Sequence, residues 1–229
     1  MTGWTEFALS MGVFLASHAL PARPALKARL VGLLGRRRFI WAYSALSIGV
    51  LGWVIIAAGR APWVPLWDPA VWQVHAALAL MLLACLLAAY ALAGVNPLSF
   101  GSRAAPFDPA HPGIAGVSRH PVLLALALWA LAHTLANGDL AHVVLFGTMG
   151  IFALAGMPLI DHRQRRVMAD WQTQTRATSL VPLAALVQGR WRPAGPPALL
   201  PGLAGIAVWA LLIVLHPLVI GVDPLAIGL

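Results

Sequence analysis

The chain has few charged residues, few acidic residues and one cysteine, and each shortage excludes a class of protein. Only 10% of its 229 residues are charged, against about 25% in a soluble domain, so this composition cannot build a water-exposed surface. The same shortage excludes nucleic-acid binding through a soluble basic face, despite a formal net charge of +8. Because Cys85 is alone, a disulfide scaffold is excluded as well. What remains is an integral membrane protein, with a single domain over residues 1–229.

Six apolar stretches are long enough, or nearly so, to cross a bilayer as helices, which needs about 20 largely apolar residues. They are Trp4–Leu20, Phe39–Gly59, Trp72–Val95, Pro121–Ala136, Ala141–Ile160 and Leu199–Ile220. The fourth and fifth meet at Asn137-Gly138-Asp139, a turn signal that predicts an antiparallel hairpin. The sequence therefore predicts an all-α fold, a polytopic membrane helix bundle with about six transmembrane helices.

The distribution of basic residues predicts the orientation. Fourteen of the fifteen Lys and Arg residues fall in the loops after the first, third and fifth stretches, and Arg60 alone lies on the other side. Cytoplasmic loops carry this excess, so we expect both termini to face away from the cytoplasm. Residues 161–198 should form a cytoplasmic or interfacial segment, with Asp161 at a solvated helix start. The net charge is then explained by topology and by the lipid bilayer's anionic headgroups, and no nucleic-acid partner is indicated.

Histidine is the ionisable residue that marks function here, because acidic side chains are absent from the middle of every span. At a rise of about 1.5 Å per residue, His75, His133, His142 and His216 share one depth near the outer helix ends. Imidazole is the commonest metal ligand and binds haem iron. Two histidines at one depth on separate helices can hold a haem inside a bundle, and on depth alone His75 and His133 form the best pair. The alternative is interfacial histidines in contact with water.

Arg119-His120-Pro121 places a cation and an imidazole at the start of a helix whose first N–H groups lack helical partners. Such an end attracts anions such as phosphate or carboxylate, so Arg119 and His120 are candidate anion- or substrate-binding residues. The alternative is a basic flank with proline at the first helical position. In the turn, Asp139 is placed to orient His133 or His142.

Several short motifs follow one another along nearly the whole chain. They are Ser17-His18-Ala19-Leu20-Pro21 with the basic loop after it, Trp67-Asp68-Pro69 and His75, Arg119-His120-Pro121, Trp129 to His133, Asn137-Gly138-Asp139, Phe146-Gly147, Thr178-Ser179, Pro182 and Gly189-Arg190. In this order, the motifs resemble the NnrU family.

The resemblance implies a multi-pass protein of the bacterial inner (cytoplasmic) membrane, associated with nitrite and nitric oxide metabolism. In such a membrane, the termini that the basic residues place away from the cytoplasm would be periplasmic. The family is similar to 15-cis-zeta-carotene isomerase, a membrane enzyme that uses haem b to isomerise a polyene double bond. By position, that relative's haem ligands fall on His18 and His133. The resemblance thus implies haem b, its iron held by His133 and His18, and a redox or isomerase-like role with a hydrophobic small molecule or nitric oxide as ligand.

Depth argues against the pair that the resemblance implies. His18 lies near the inner end of its helix, whereas His133 lies about 18 Å deeper, counted from Pro121 at the helical rise. One haem cannot bridge that offset between straight, upright helices. Either the first helix is set deeper or kinked at Pro21, or His75 replaces His18. His133 is common to both pairs.

Two other functions stay open. One is a non-enzymatic accessory factor for nitrite or nitric oxide reduction, with no partner protein indicated. The other is a membrane methyltransferase of the isoprenylcysteine type, because the Arg-His-Pro helix start also looks like that family's S-adenosylmethionine site. The acidic pair expected later in that family is missing, and Asp161-His162-Arg163 stands in its place.

Overall fold

The computed structural model describes residues 3–19, 23–68, 70–102 and 105–226. Within these ranges the regular elements are helices, with one isolated bridge between Pro65 and Asp139. The predicted all-α class is therefore confirmed. Leu20, Pro21, Pro69 and Arg103, which enter the predictions above, lie outside the described residues, and so does the kink proposed at Pro21.

The described ranges contain ten helices. They are α1 (Gly3–Ala19), α2 (Pro24–Leu34), α3 (Arg36–Arg60), α4 (Val71–Ala93), α5 (Ile114–Val117), α6 (Pro121–Ala136), α7 (Leu140–Val167), α8 (Trp171–Thr175), α9 (Ala184–Val187) and α10 (Leu199–Val219). Of these, α3, α4, α7 and α10 are long and apolar enough to cross a membrane, and α6 is a shorter apolar helix. The chain is thus a multi-pass membrane protein. Each of the six predicted spans coincides with a helix, while the number of crossings and the side of the termini stay predictions.

The chain divides into two compact units, of which the first comprises residues up to 68 and residues 138–145. Within it, α1 packs along α3. Glu6 on α1 accepts hydrogen bonds from the Trp53 indole at 3.3 Å and from Arg60 at 3.2 Å. The Leu66 N–H donates to the Gly138 carbonyl at 2.7 Å, so backbone bonds hold the start of α7 to the end of the segment after α3.

The second unit comprises residues 69–137 and 146–229, and α4 packs against both α6 and α10. The Tyr90 hydroxyl on α4 donates to the Ala198 carbonyl at 2.8 Å, and the Trp209 indole on α10 donates to the Leu78 carbonyl at 3.1 Å. A Cβ added at Gly205 would lie 3.0 Å from the Leu86 Cα. A glycine therefore lets α10 approach α4 closely, as is usual between membrane helices.

Helices α6 and α7 form the predicted antiparallel hairpin. Gly150 lies against Ala130, and Gly156 lies against Leu123, so residue numbers rise along one helix as they fall along the other. Leu123 also belongs to a buried cluster with Ala153 and Met157. This packing brings the start of α6 beside the last turns of α7, which is where the polar residues of the second unit meet.

The segment after α7 folds against the chain that precedes α6. The Arg119 N–H donates to the Ser179 carbonyl and the Leu183 N–H donates to the Val117 carbonyl, both at 2.8 Å. Trp191 packs with Ala177 and Ala185 in a buried cluster, directly over Gly116, where an added Cβ would collide with the indole. Residues 161–198, predicted to be cytoplasmic or interfacial, thus begin with the last turns of α7, which continues through Val167, and their location stays a prediction.

Candidate functional site

A buried carboxylate lies at the centre of the polar residues around the start of α6. Asp161 is 3% exposed, and its side chain accepts hydrogen bonds from Arg119 Nη1 and, at 2.9 Å, from His120 Nε2. The prediction of a solvated helix start at Asp161 is therefore wrong. Helix α7 runs past this residue, and packing against α6 turns the carboxylate inward, where two donors offset its desolvation.

His120 links this carboxylate to a hydroxyl. Its ring is fully buried, with Nδ1 2.9 Å from Ser99 Oγ and Nε2 facing Asp161. A neutral imidazole that donates from Nε2 to the carboxylate accepts from the Ser99 hydroxyl at Nδ1. Ser99, His120 and Asp161 thus form a continuous hydrogen-bonded chain.

All three guanidinium nitrogens of Arg119 are engaged inside the protein. Nη1 donates to Asp161, Nε donates to Thr178 Oγ1 at 2.9 Å, and Nη2 lies 3.5 Å from the Thr178 carbonyl. The guanidinium also lies over the Trp171 ring, 5.4 Å from its centroid. Burial lowers the pKa of Arg119, and Asp161 opposes that shift by attracting the charge, so the buried cation depends on this one carboxylate.

Asn96 fixes the backbone around the buried arginine. Its amide donates to the Arg119 carbonyl at 2.9 Å, and its Oδ1 accepts from the Leu98 N–H at 3.1 Å. Both Asn96 and Leu98 are almost completely buried. The loop after α4 is therefore part of the same network as the start of α6.

The chain from Ser99 through His120 to Asp161 has the order of a nucleophile, a base and an orienting carboxylate. Asp161, however, also neutralises Arg119, which weakens its pull on the imidazole. Neither of the two cavities next to the network is lined by Ser99. The arrangement therefore supports a positioning network better than a nucleophilic site.

The larger of these cavities is open and about 910 Å³ in volume. Four arginines line it, namely Arg119, Arg165, Arg176 and Arg190, together with Trp171 and Thr178. The smaller cavity, about 210 Å³, is lined by Asp161, His162 and Arg165 among others. Of the two predicted anion-binding residues, Arg119 thus borders the larger cavity, and His120 is buried behind it. Their role in binding an anion stays a prediction.

His133 lies near the opposite end of α6, among aromatic side chains. Its Nδ1 is 2.8 Å from the Trp129 carbonyl. Its ring centroid is 4.7 Å from that of Phe146, 5.1 Å from that of Trp129 and 6.4 Å from that of His216. Because a carbonyl can only accept, Nδ1 carries the hydrogen, and Nε2 of the neutral ring is the basic nitrogen.

His18, in the first unit, shows the same local arrangement. Its Nδ1 is 2.8 Å from the Phe14 carbonyl, and its ring lies 4.3 Å from Phe14 and 6.0 Å from Tyr43 between centroids. His75, in the second unit, is an exposed residue in the second turn of α4. The imidazole beside His133 within the second unit is His216, which depth had placed in the same layer as His133.

Of the two histidines near the turn, Asp139 contacts His142. The distance from Asp139 Oδ1 to His142 Nδ1 is 2.7 Å, and Asp139 Oδ2 also accepts from the His142 N–H at 3.2 Å. Asp139 thus caps the first turn of α7 while it orients the imidazole.

The donor chemistry of His18 and His133 fits haem better than a clustered metal ion. Across the ranges that the structure describes, no group of three or more His, Cys, Asp or Glu residues is placed to hold a metal ion. Haem iron needs only one or two axial imidazoles. In both His18 and His133, Nδ1 is held by the carbonyl four residues earlier, the arrangement that orients Nε2 of a ligating histidine.

Comparison with known proteins supports the resemblance read from the motifs. The chain is 35% identical over 81 residues to the chloroplastic 15-cis-zeta-carotene isomerase of Arabidopsis thaliana, an alignment that covers 34% of this chain and 22% of that protein. The chain thus aligns with only about a fifth of that relative's length. No solved structure matches the chain. The family model described as NnrU protein matches residues 6–224, and the chain therefore belongs to the NnrU family.

Proposed function

We propose that this protein holds haem b in a bacterial inner membrane and isomerises a double bond of an apolar polyene. The family membership, the partial similarity to 15-cis-zeta-carotene isomerase and the multi-pass helical fold support this proposal. The observation that carries it is the environment of His133, an imidazole whose Nδ1 is held by a backbone carbonyl in the short apolar helix α6.

His133 is suited to hold the iron for two reasons. The bond from Nδ1 to the Trp129 carbonyl sets both the tautomer and the direction of the ring. Trp129 and Phe146 pack against the imidazole and help to exclude water around it. When bound, haem b supplies a redox-active iron, which can lower the barrier to rotation about a double bond.

The second histidine that would hold the haem is proposed from the sequence. The resemblance assigns it to His18, and helix depth assigns it to His75. His18 has its Nδ1 held by a backbone carbonyl, as His133 does, which favours His18. An apolar substrate would reach the site from the lipid, since the helices α3, α4, α7 and α10 present apolar side chains outward.

The experiment that tests this proposal is an absorption spectrum of the detergent-purified protein, before and after dithionite, with a pyridine haemochrome assay. We expect one b-type haem per chain and its loss in His133→Leu. His18→Leu and His75→Leu then identify the second ligand by a change in axial coordination. The control is His111→Leu, because His111 is an exposed loop residue and its replacement should leave the spectrum unchanged.

Two outcomes would count against the proposal. Full haem retention in His133→Leu would remove His133 as a ligand. A colourless wild-type protein, even after haem supplementation during expression, would favour the accessory role in nitrite or nitric oxide reduction.

The cavity beside Arg119 argues against the methyltransferase alternative. The described residues that line it include four arginines and no carboxylate, whereas S-adenosylmethionine carries a positive sulfonium. A like charge at close range disfavours that ligand.

A further inference from the structure

We infer that the arginine-lined cavity at the end of α7 is a binding site for a dianionic phosphate group, carried by a lipid or free in water. The inference is independent of haem binding and concerns a different part of the second unit. It rests on the charge balance of the cavity, on the way its arginines are held, and on the composition of its wall.

The cavity has more positive charge than its surroundings neutralise. Four guanidiniums border it, and Asp161 forms an ion pair with one of them, Arg119. Arg165 and Arg190, which line the cavity together with Arg119, both lower the pKa of Arg119 through like-charge repulsion. A bound dianion would relieve this repulsion.

Arg190 is held in place by neutral acceptors. Its Nε donates to Gln188 Oε1 at 2.8 Å, and its Nη1 donates to the carbonyls of Arg176 and Thr178 at 2.6 and 2.8 Å. These contacts fix the guanidinium without neutralising it, and Nη2 takes no part in them. A fixed cation binds an anion at a smaller entropic cost than a mobile one.

Arg165 and Arg176 supply the other two charges from different elements. Arg165 lies near the end of α7, with its guanidinium 5.8 Å from the centroid of the Trp171 ring, and Arg176 follows α8 directly. Together with Arg190, they place three cations in the wall of the cavity. Guanidinium forks match the oxygens of phosphate, and three cations suit a group with two negative charges.

The wall of the cavity is mixed, which allows two sources for the phosphate. Thr175 and Ser179 contribute hydroxyl-bearing side chains, while Leu180 and Val181 contribute apolar surface. Leu180 also packs against the buried cluster that contains Leu123 of α6. A lipid phosphomonoester could therefore place its chain along apolar surface, and a free phosphate compound would use the polar side alone.

The test uses the full-length protein in a zwitterionic detergent with two probes. Phosphatidic acid is titrated and followed by native mass spectrometry, with phosphatidylcholine as the reference lipid, and inorganic phosphate is titrated by calorimetry. We expect saturable one-to-one binding of at least one phosphate probe. Binding of phosphatidic acid alone assigns the site to a lipid, and binding of inorganic phosphate assigns it to a free phosphate compound.

The matched variants are R165Q/R176Q, which removes two charges from the cavity wall, and R163Q/R192Q, which removes two charges from exposed arginines outside it. The first should weaken binding about tenfold or more, since charge-assisted hydrogen bonds are lost. The second should change binding by about twofold or less, because screened surface charges contribute little.

A single substitution serves as the control for misfolding. Arg176 is exposed, so Arg176→Gln should keep the elution volume and melting temperature of the wild type while it still weakens binding several-fold. Equal losses in the two double variants would overturn the inference and leave a general attraction between basic residues and anionic lipids. Absence of saturable binding of both probes to the wild type would overturn it as well.

Discussion

Two carboxylate–histidine pairs of the second unit have similar distances and very different surroundings. Asp161 and His120 lie 2.9 Å apart with side chains 4% and 0% exposed, whereas Asp108 and His111 lie 2.7 Å apart with side chains 58% and 65% exposed. The shorter pair is in water, where ion pairs contribute little to stability. The longer pair is enclosed, and its carboxylate also neutralises Arg119. Burial, more than distance, decides which pair the fold depends on.

Removal of the buried carboxylate should have the largest effect. Asp161→Ala leaves the Arg119 guanidinium enclosed without a counter-charge, and breaking a buried pair in this way costs about 3–5 kcal/mol. We expect a large loss of folded protein, measured by fluorescence-detected size-exclusion chromatography and thermal unfolding in detergent. Asp223→Ala is the control, because Asp223 is an exposed residue near the end of the described chain.

A double replacement separates the effect of the unpaired charge on stability from the effect of the lost packing. Arg119→Met combined with Asp161→Leu removes both charges and should unfold at a higher temperature than Asp161→Ala, since apolar pairs of similar volume can replace buried ion pairs. A double variant that is less stable than Asp161→Ala would contradict the view that the unpaired cation causes the loss.

The hydroxyl at the other side of His120 should contribute less. Ser99→Ala removes the hydrogen bond at His120 Nδ1 and should lower the free energy of unfolding by about 1 kcal/mol. The measurement is thermal unfolding of Ser99→Ala, with Ser102→Ala for comparison. The Ser102 hydroxyl donates to the Asn96 carbonyl and not to the imidazole of His120. Equal stability of Ser99→Ala and the wild type would exclude Ser99 from the network.

The exposed pair should have the smallest effect. The hydrogen bond with His111 is the main cause that lowers the pKa of Asp108. A carboxyl with a lowered folded pKa stabilises the fold above its unfolded pKa, and this contribution is lost as the pH falls through the folded value. Because the Asp108 side chain is exposed to solvent, which screens its interactions, we expect Asp108→Asn to leave the melting temperature at pH 7 unchanged. A large decrease would show that this loop contributes to stability.

The helices could be predicted from the sequence because long apolar runs leave the backbone few alternatives in a bilayer. The turn at Asn137-Gly138-Asp139 was also predictable, because turn-forming residues determine the backbone conformation within a few positions. The end of α7 could not be predicted from the sequence. Asp161-His162-Arg163 is as polar as a solvated helix start, and the carboxylate is enclosed by contacts with Arg119 and His120, 42 and 41 residues earlier in the chain.

The position of the polar network was predictable, and its partners were not. Arg119 and His120 stand out in the sequence because they precede a proline at a helix start. Ser99 carries no such signal, and Thr178 appears in the sequence only within a family motif that does not indicate its partner. Each reaches the network from a loop, and Thr178 lies 59 residues from Arg119. At the other end of α6, depth alone placed His133 and His216 in one layer, and the structure brings their rings together.

The pairing of Arg119 with Asp161 has a consequence for the order of biosynthesis. The guanidinium is synthesised 42 residues before the carboxylate that neutralises it, so α6 exists for a time with a cation at its start and no counter-charge. During that interval the arginine is most stable among anionic headgroups. The start of α6 can be enclosed only once α7 is complete, and we therefore expect the two helices to settle in the membrane as one insertion unit.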